Sequence, residues 1–158
     1  MIVGSELGAL TASTGFGLIK LHYGNPKLHY EANHQTRSQT IEIGLHFEAD
    51  RFTNARLLGA FRVHQKKIQR ALKNARLEEW DKGWTRIWEP LVYEELDAKL
   101  QSDVADRLAR YIRVLEPMLR DELPADVPWT LSTARVSKPR ATRAASARRS
   151  PARRKRSG

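Results

Sequence analysis

Between residues 18 and 48 the chain alternates between apolar and polar positions. Every second residue from 41 to 47 is a large apolar one, with polar or small residues between them, and shorter alternations cover residues 18–23 and 28–32. Period-two alternation is typical of strands that bury one face. The short polar connections at residues 24–26 and 33–38 predict that these strands form an antiparallel three-stranded meander.

The spacing of apolar residues then changes to three and four. Over residues 53–76 this spacing predicts an amphipathic helix of about six turns, with Asp50 or Thr53 as its N-cap. Residues 84–88 predict a fourth strand that ends at Pro90. A second helical pattern covers residues 96–119, where residues 102–103 predict a break and Pro117 predicts a kink or an end.

These elements predict an α+β fold with two layers. One apolar sheet face needs a cover and two helices offer apolar stripes, so we expect an antiparallel three- to four-stranded sheet with two long helices on one face. The expected organisation is a loose lead-in over residues 1–15, with room for one strand, an α+β domain over residues 16–131 and a disordered basic tail over residues 132–158.

Three runs in the middle of the chain, IEIGLHFEADRFTNARLLGAFRVHQKKIQRAL, WDKGWTRIW and LARYIRVLEPMLRDEL, form one pattern. A strand ends in an acidic turn, a long helix contains Asn54, a linker carries Trp80, a short strand holds Arg86 and Ile87, and a last helix ends near Pro117. Over about residues 39–122 this resembles a bacterial domain of unknown function that is sometimes attached to restriction-type or nuclease-like proteins. The resemblance implies a small α+β fold associated with DNA-handling systems, and it supplies no catalytic residues.

The net charge of +10 comes from 28 basic and 18 acidic side chains, and it belongs entirely to the C-terminal tail. Residues 133–158 hold ten basic side chains, no acidic one and a single large aliphatic residue, Val136, so this segment is predicted to be disordered. Such a segment attracts nucleic-acid phosphates, and without aromatic side chains it cannot stack on bases. The alternative is a solubilising extension. The candidate phosphate-binding residues of the tail are Arg140, Arg143, Arg148, Arg149, Arg153, Arg154, Lys155 and Arg156.

The first predicted helix is the second candidate for phosphate binding. No acidic residue lies between Asp50 and Glu78, and like charges at helical spacing are mildly destabilising, so this one-sign face needs a partner. The partner is either phosphate or the acidic last helix. The residues expected to share or flank the polar side of the first helix are Arg62, Lys66, Lys67, Arg70 and Lys73.

The polar face of the predicted sheet is the third candidate. Carboxylates and imidazoles on neighbouring strands can bind a metal ion, whereas the more common outcome is a solvated sheet face, which we expect here. The metal-ligand candidates are His29, Glu31, Glu42, His46 and Glu48. Trp80, Trp84 and Trp88 either grip a ligand or, as we expect, cap the core.

The leading hypothesis is a non-enzymatic protein of the cytoplasm or nucleoid that binds DNA or RNA backbone without sequence specificity. The alternatives are an enzyme or metal-binding domain that uses the Glu/His sheet face, and a protein-interaction domain of a bacterial nuclease or defence system. The absence of cysteine excludes disulfides and thiolate sites, and no apolar run is long enough for a membrane span. No cofactor motif occurs, so no cofactor is expected, and the oligomeric state stays open.

Overall fold

A computed structural model describes residues 10–129, and it confirms the two-layer α+β fold. One antiparallel sheet of six strands has the order β1-β2-β3-β4-β6-β5. The strands are β1 Thr11–Gly15, β2 Leu18–His22, β3 Leu28–Gln35, β4 Thr40–Phe47, β5 Arg76–Glu79 and β6 Thr85–Val92. The helices are α1 Arg51–Val63, α2 Gln65–Ala71 and α3 Ala98–Glu122, with a 3₁₀ turn at Asp81–Gly83.

The sheet has more strands than expected, because β1 and β5 extend it at its two edges. Strand β1 lies in the segment interpreted as a lead-in and pairs with β2 from Thr11 to Gly15. Strand β5 has the sequence RLEE, which carries three charges in four residues and no recognisable alternation. The predicted tail over residues 132–158 lies outside the described residues.

The core lies between one sheet face and the helices. Ile43, Leu45 and Phe47 on β4 are completely buried, and the Phe47 ring packs against Phe61 of α1 with 5.6 Å between ring centroids. Because successive strand residues point to opposite faces, the residues between these three, including His46, lie on the face away from the core.

The prediction of one long first helix is wrong, because the chain breaks at His64 and then turns into β5. His64 has φ −96° and ψ 8°, and its Nε2 lies 2.8 Å from Glu122 Oε1 at the end of α3. The break leaves the apolar spacing unchanged, since Phe61 and Ile68 on its two sides are both buried. Asp50 is confirmed as the N-cap of α1, because its side chain accepts hydrogen bonds from the backbone N–H groups of Phe52 and Thr53.

Helix α3 is continuous, so the predicted break at residues 102–103 is wrong and Pro117 does not end the helix. Leu115, Met118 and Leu119, on both sides of the proline, are buried in the core. Their burial offsets the hydrogen bond that a proline removes from a helix interior. No helix within residues 10–129 is long and apolar enough to cross a membrane.

Candidate functional sites

The sheet face away from the core carries a compact cluster of imidazoles and carboxylates. The register pairs His29 with His46 across β3 and β4, and Glu31 lies two residues along β3. Glu48, just after β4, completes the group. One nitrogen or oxygen atom from each of these four side chains lies within 4.8 Å of the others. We call His29, Glu31, His46 and Glu48 the His/Glu cluster.

This cluster is not a solvated surface, so the expectation of an ordinary exposed sheet face is wrong. His29 and His46 are each 1% exposed and Glu31 is 5% exposed. The two imidazole rings stack with 5.7 Å between centroids, and the Trp80 ring meets His46 edge-on at 6.0 Å. A polar cluster that is withdrawn from water must satisfy its hydrogen bonds internally or through a ligand.

The orientation of His29 is set by the turn before β3. Its Nδ1 lies 2.9 Å from the carbonyl oxygen of Pro26. A carbonyl only accepts, so Nδ1 carries the hydrogen and donates it. The other ring nitrogen, Nε2, faces Glu31 Oε2 at 3.3 Å and Glu48 Oε1 at 3.9 Å. In neutral His29 this nitrogen presents a lone pair to two acceptors, which only a shared proton or a bound cation makes favourable.

His46 has no hydrogen-bond partner on either ring nitrogen within the described part of the chain. Burial is the main cause that lowers its pKa, to about 3, so the imidazole is neutral at neutral pH. An unpaired polar group in the interior is destabilising by about 1–3 kcal/mol. His46 is therefore a buried group whose hydrogen-bonding capacity the described side chains leave unused.

A lysine lies against both carboxylates of the cluster. Lys20 Nζ is 3.2 Å from Glu31 Oε2 and 3.3 Å from Glu48 Oε2. Burial opposes the ionisation of Glu31, but the contacts with His29 and Lys20 outweigh it and lower the pKa of this carboxyl. The cluster therefore holds an ionised Glu31 and a neutral His46 together, and these are the forms in which carboxyl and imidazole groups bind metal ions.

Glu42, the fifth predicted ligand, lies outside the cluster and bonds to Arg86 instead. Arg86 donates to Glu42 Oε2 at 3.0 Å and to Glu78 Oε1 at 2.8 Å. Its guanidinium lies between two rings, 4.9 Å from the centroid of Trp80 and 3.8 Å from that of Trp88. Two of the three predicted core-capping tryptophans thus cover the polar face, where they hold an arginine. The sequence signal for the Trp88 contact was its position two residues after Arg86 on β6, whereas Trp80 reaches the guanidinium from the connection before that strand.

The predicted basic surface is present on α1, α2 and the residues after them. All five of its residues are exposed, and none forms an ion pair with a residue in the range 10–129. By contrast, Arg56, an arginine of α1 outside this set, pairs with Asp126 at 3.0 Å. The alternative that the acidic last helix neutralises this surface is therefore wrong for these five. We call them the basic face: Arg62, Lys66, Lys67, Arg70 and Lys73.

A groove of about 690 Å³ between β2 and α3 was not predicted from the sequence. It is lined mainly by aliphatic side chains, among them Ile19, Leu21 and Leu108. His34, which is hydrogen-bonded to the Tyr93 hydroxyl, is one of its few polar groups. The groove offers apolar volume without a cluster of reactive groups.

No family model, curated protein or solved structure matches this chain. The resemblance to a nuclease-associated domain therefore stays a prediction.

Proposed function

We propose that this protein is a non-enzymatic nucleic-acid-associated protein whose basic face binds the phosphate backbone without sequence preference. The observation that carries the proposal is the set of five exposed cations on that face, none of which is paired with a carboxylate of the described residues. A protein that neutralises several phosphates gains affinity from the counterions it releases. The binding is expected to be electrostatic and therefore sensitive to salt.

The spacing of these cations supports a role outside the fold. Lys66 is four residues from Arg70 on α2, a spacing at which like charges destabilise a helix by a few tenths of a kcal/mol. Buried Ile68 and Leu72 fix the opposite side of this segment against the core. The cations consequently point to solvent, where an anionic partner would relieve their repulsion.

The tail would add to the same interaction. The segment that precedes it is held beside α1, because Asp126 pairs with Arg56 there. Asn25 then donates to the carbonyl of Pro128 at 3.2 Å, close to the last described residue. The ten basic side chains of residues 133–158 follow directly in sequence, and eight of them are arginines, which suit bidentate phosphate contacts.

The test measures affinity for a DNA duplex and for an RNA of equal length over a series of salt concentrations. In the full chain, Lys66→Gln combined with Lys67→Gln should lower the slope of log affinity against log salt by roughly two, since each lost phosphate contact contributes about 0.9. A chain that ends at Ser132 should lose further slope, up to about nine for ten tail contacts.

The matched control is Arg110→Gln combined with Arg113→Gln, which removes the same charge from exposed positions of α3. Neither arginine belongs to the basic face, so the control should keep the wild-type slope within the measurement error. Equal slopes for the two double variants would overturn the proposal, because net charge alone would then explain binding. A strong preference for one base sequence would also contradict it.

The resemblance to a nuclease-associated domain adds a proposal about context. It suggests that the protein acts beside DNA-handling enzymes, with protein interaction as the alternative to direct backbone contact. The salt series separates the two, because a domain that only contacts another protein would bind neither nucleic acid.

A further inference from the structure

We propose that the His/Glu cluster is a binding site for one divalent transition-metal ion, with zinc as the reference ion. The ligands would be Nε2 of His29, one ring nitrogen of His46 and one carboxylate oxygen each from Glu31 and Glu48. The site is separate from the basic face, so this inference goes beyond the proposed function. It rests on the geometry of four side chains that the register of β3 and β4 brings together.

The donor set fits an ion of this class. Imidazole and carboxylate together suit zinc and its neighbours in the first transition row, and zinc takes four such ligands at about 2.0–2.2 Å. Tetrahedral ligands at that range are about 3.4 Å apart. His29 Nε2 and Glu31 Oε2 already lie 3.3 Å apart. The remaining ligand atoms lie within 4.8 Å of one another, so small side-chain rotations would close the site.

The surroundings of His29 resemble those of a metal ligand. Metal-bound histidines almost always donate the hydrogen of their other ring nitrogen to a carbonyl or carboxylate, which fixes the ring. The Pro26 carbonyl accepts such a bond from His29 Nδ1 at 2.9 Å. This contact leaves Nε2 directed at the two carboxylates, so that a cation held there would take the place of the proton on this nitrogen.

His46 supplies an independent observation. Its ring is 1% exposed, and neither nitrogen has a hydrogen-bond partner among the described residues. Its neighbour on β3 is a second imidazole rather than a donor or acceptor that could satisfy it. An ion in the plane of the His46 ring would satisfy one of these nitrogens, which no side chain of the described residues does.

Lys20 would compete with the metal ion for the carboxylates of Glu31 and Glu48. Its ammonium group bridges Glu31 and Glu48 and so offsets part of their negative charge when no ion is bound. The side chain is 28% exposed, so it can swing into solvent when an ion enters. Removal of this charge should therefore strengthen metal binding, whereas a purely structural ion-pair network would predict a less stable protein and no gain in affinity.

The experiment titrates the full chain with Zn²⁺, and separately with Ni²⁺ and Mn²⁺, by isothermal calorimetry. We expect one equivalent of Zn²⁺ or Ni²⁺ to bind. Glu48→Gln should weaken binding at least tenfold. Replacement of a residue that only hydrogen-bonds to a metal ligand already lowers metal affinity roughly 10–100-fold, and loss of a ligand itself should lower it at least as much. Glu48 is the most exposed ligand, which favours folding of this variant. Lys20→Met should bind several-fold more tightly than the wild type.

His64→Gln is the matched control, since His64 is paired with Glu122 on the helical side of the molecule. It should leave the stoichiometry and affinity unchanged, while His46→Gln abolishes binding of the one equivalent. Circular dichroism of each variant shows whether it folds, and the Glu48→Gln result stands even where His46→Gln does not. Absence of binding by all three ions, or equal affinity in Glu48→Gln and the wild type, would overturn the proposal.

Discussion

At the scale of single residues, Asn54 joins three parts of the fold. Its side chain donates to the carbonyls of Ala49 and Gly83 and accepts from the backbone N–H of Ala49, at 3.0–3.1 Å. Asn54→Ala would leave all three backbone groups without this partner. We expect the free energy of unfolding to fall by about 3 kcal/mol, measured by urea denaturation. Exposed Asn74→Ala should change it by less than about 0.5 kcal/mol, and an equal loss in both variants would contradict the assignment.

Glu116 predicts a specific pH dependence of stability. Burial raises the pKa of this carboxyl above its usual value, although Tyr30 and Arg120 donate hydrogen bonds to it. The folded state then holds the proton more tightly than the unfolded state, so the contribution of Glu116 is largest below its ordinary pKa of 4.5 and declines as pH rises through the raised value.

The difference in unfolding free energy between the wild type and Glu116→Gln should therefore decrease as pH rises from about 4 to about 7. Urea denaturation at several pH values measures this difference. Exposed Glu95→Gln is the control, and its difference from the wild type should stay flat. A difference that grows with pH would show that the carboxylate is stabilised by its partners rather than by protonation.

At the scale of elements, Pro117 is the weak point of α3. A proline inside a helix removes the hydrogen bond to the carbonyl four residues earlier, here that of Arg113, and is unfavourable by about 3 kcal/mol relative to alanine. Pro117 is exposed, so its replacement loses little packing. Pro117→Ala should raise the free energy of unfolding by about 1–3 kcal/mol in urea denaturation. Arg113→Ala on the same helix should stay within about 0.5 kcal/mol, and destabilisation by Pro117→Ala would show that the helix needs a bend there.

The elements that the sequence predicts well are those with a buried face. Strand β4 alternates cleanly because Ile43, Leu45 and Phe47 all reach the core. Strand β5 escapes prediction because it is a short, charged edge strand that is placed by its pairing with β6. The break at His64 could not be predicted from the sequence, because the buried apolar residues keep the same helical spacing on both sides of it.

At the scale of the whole molecule, the two candidate sites differ in how far the sequence foretells them. The basic face is visible in the sequence as a run without acidic residues. The sequence left open whether Arg62 or Lys66 forms ion pairs with the acidic residues of α3, and the fold was needed to answer this. The His/Glu cluster depends on the register that sets His29 opposite His46, which alternation alone does not determine. Its burial depends on Trp80, which reaches it from a connection between β5 and β6.

The two sites lie on opposite sides of the sheet, with the core and the helices between them, and this separation predicts that they act independently. Exposed charges interact weakly beyond the Debye length of about 10 Å at 0.1 M salt. Lys66→Gln with Lys67→Gln should therefore leave zinc affinity unchanged, and Glu48→Gln should leave the salt slope of DNA binding unchanged. The combined variant should therefore have the zinc affinity of Glu48→Gln and the DNA affinity of the double lysine variant, each within about 0.5 kcal/mol.

The measurement is a cycle of four proteins, each assayed by zinc calorimetry and by DNA binding with and without zinc. Zinc can bridge protein and phosphate without any site, so the decisive comparison is between the wild type and Glu48→Gln. If zinc changes the DNA affinity of both equally, the sheet face and the basic face are uncoupled, as their positions imply. A zinc effect present in the wild type and lost in Glu48→Gln would show instead that the bound ion acts through the sheet on the helices above it.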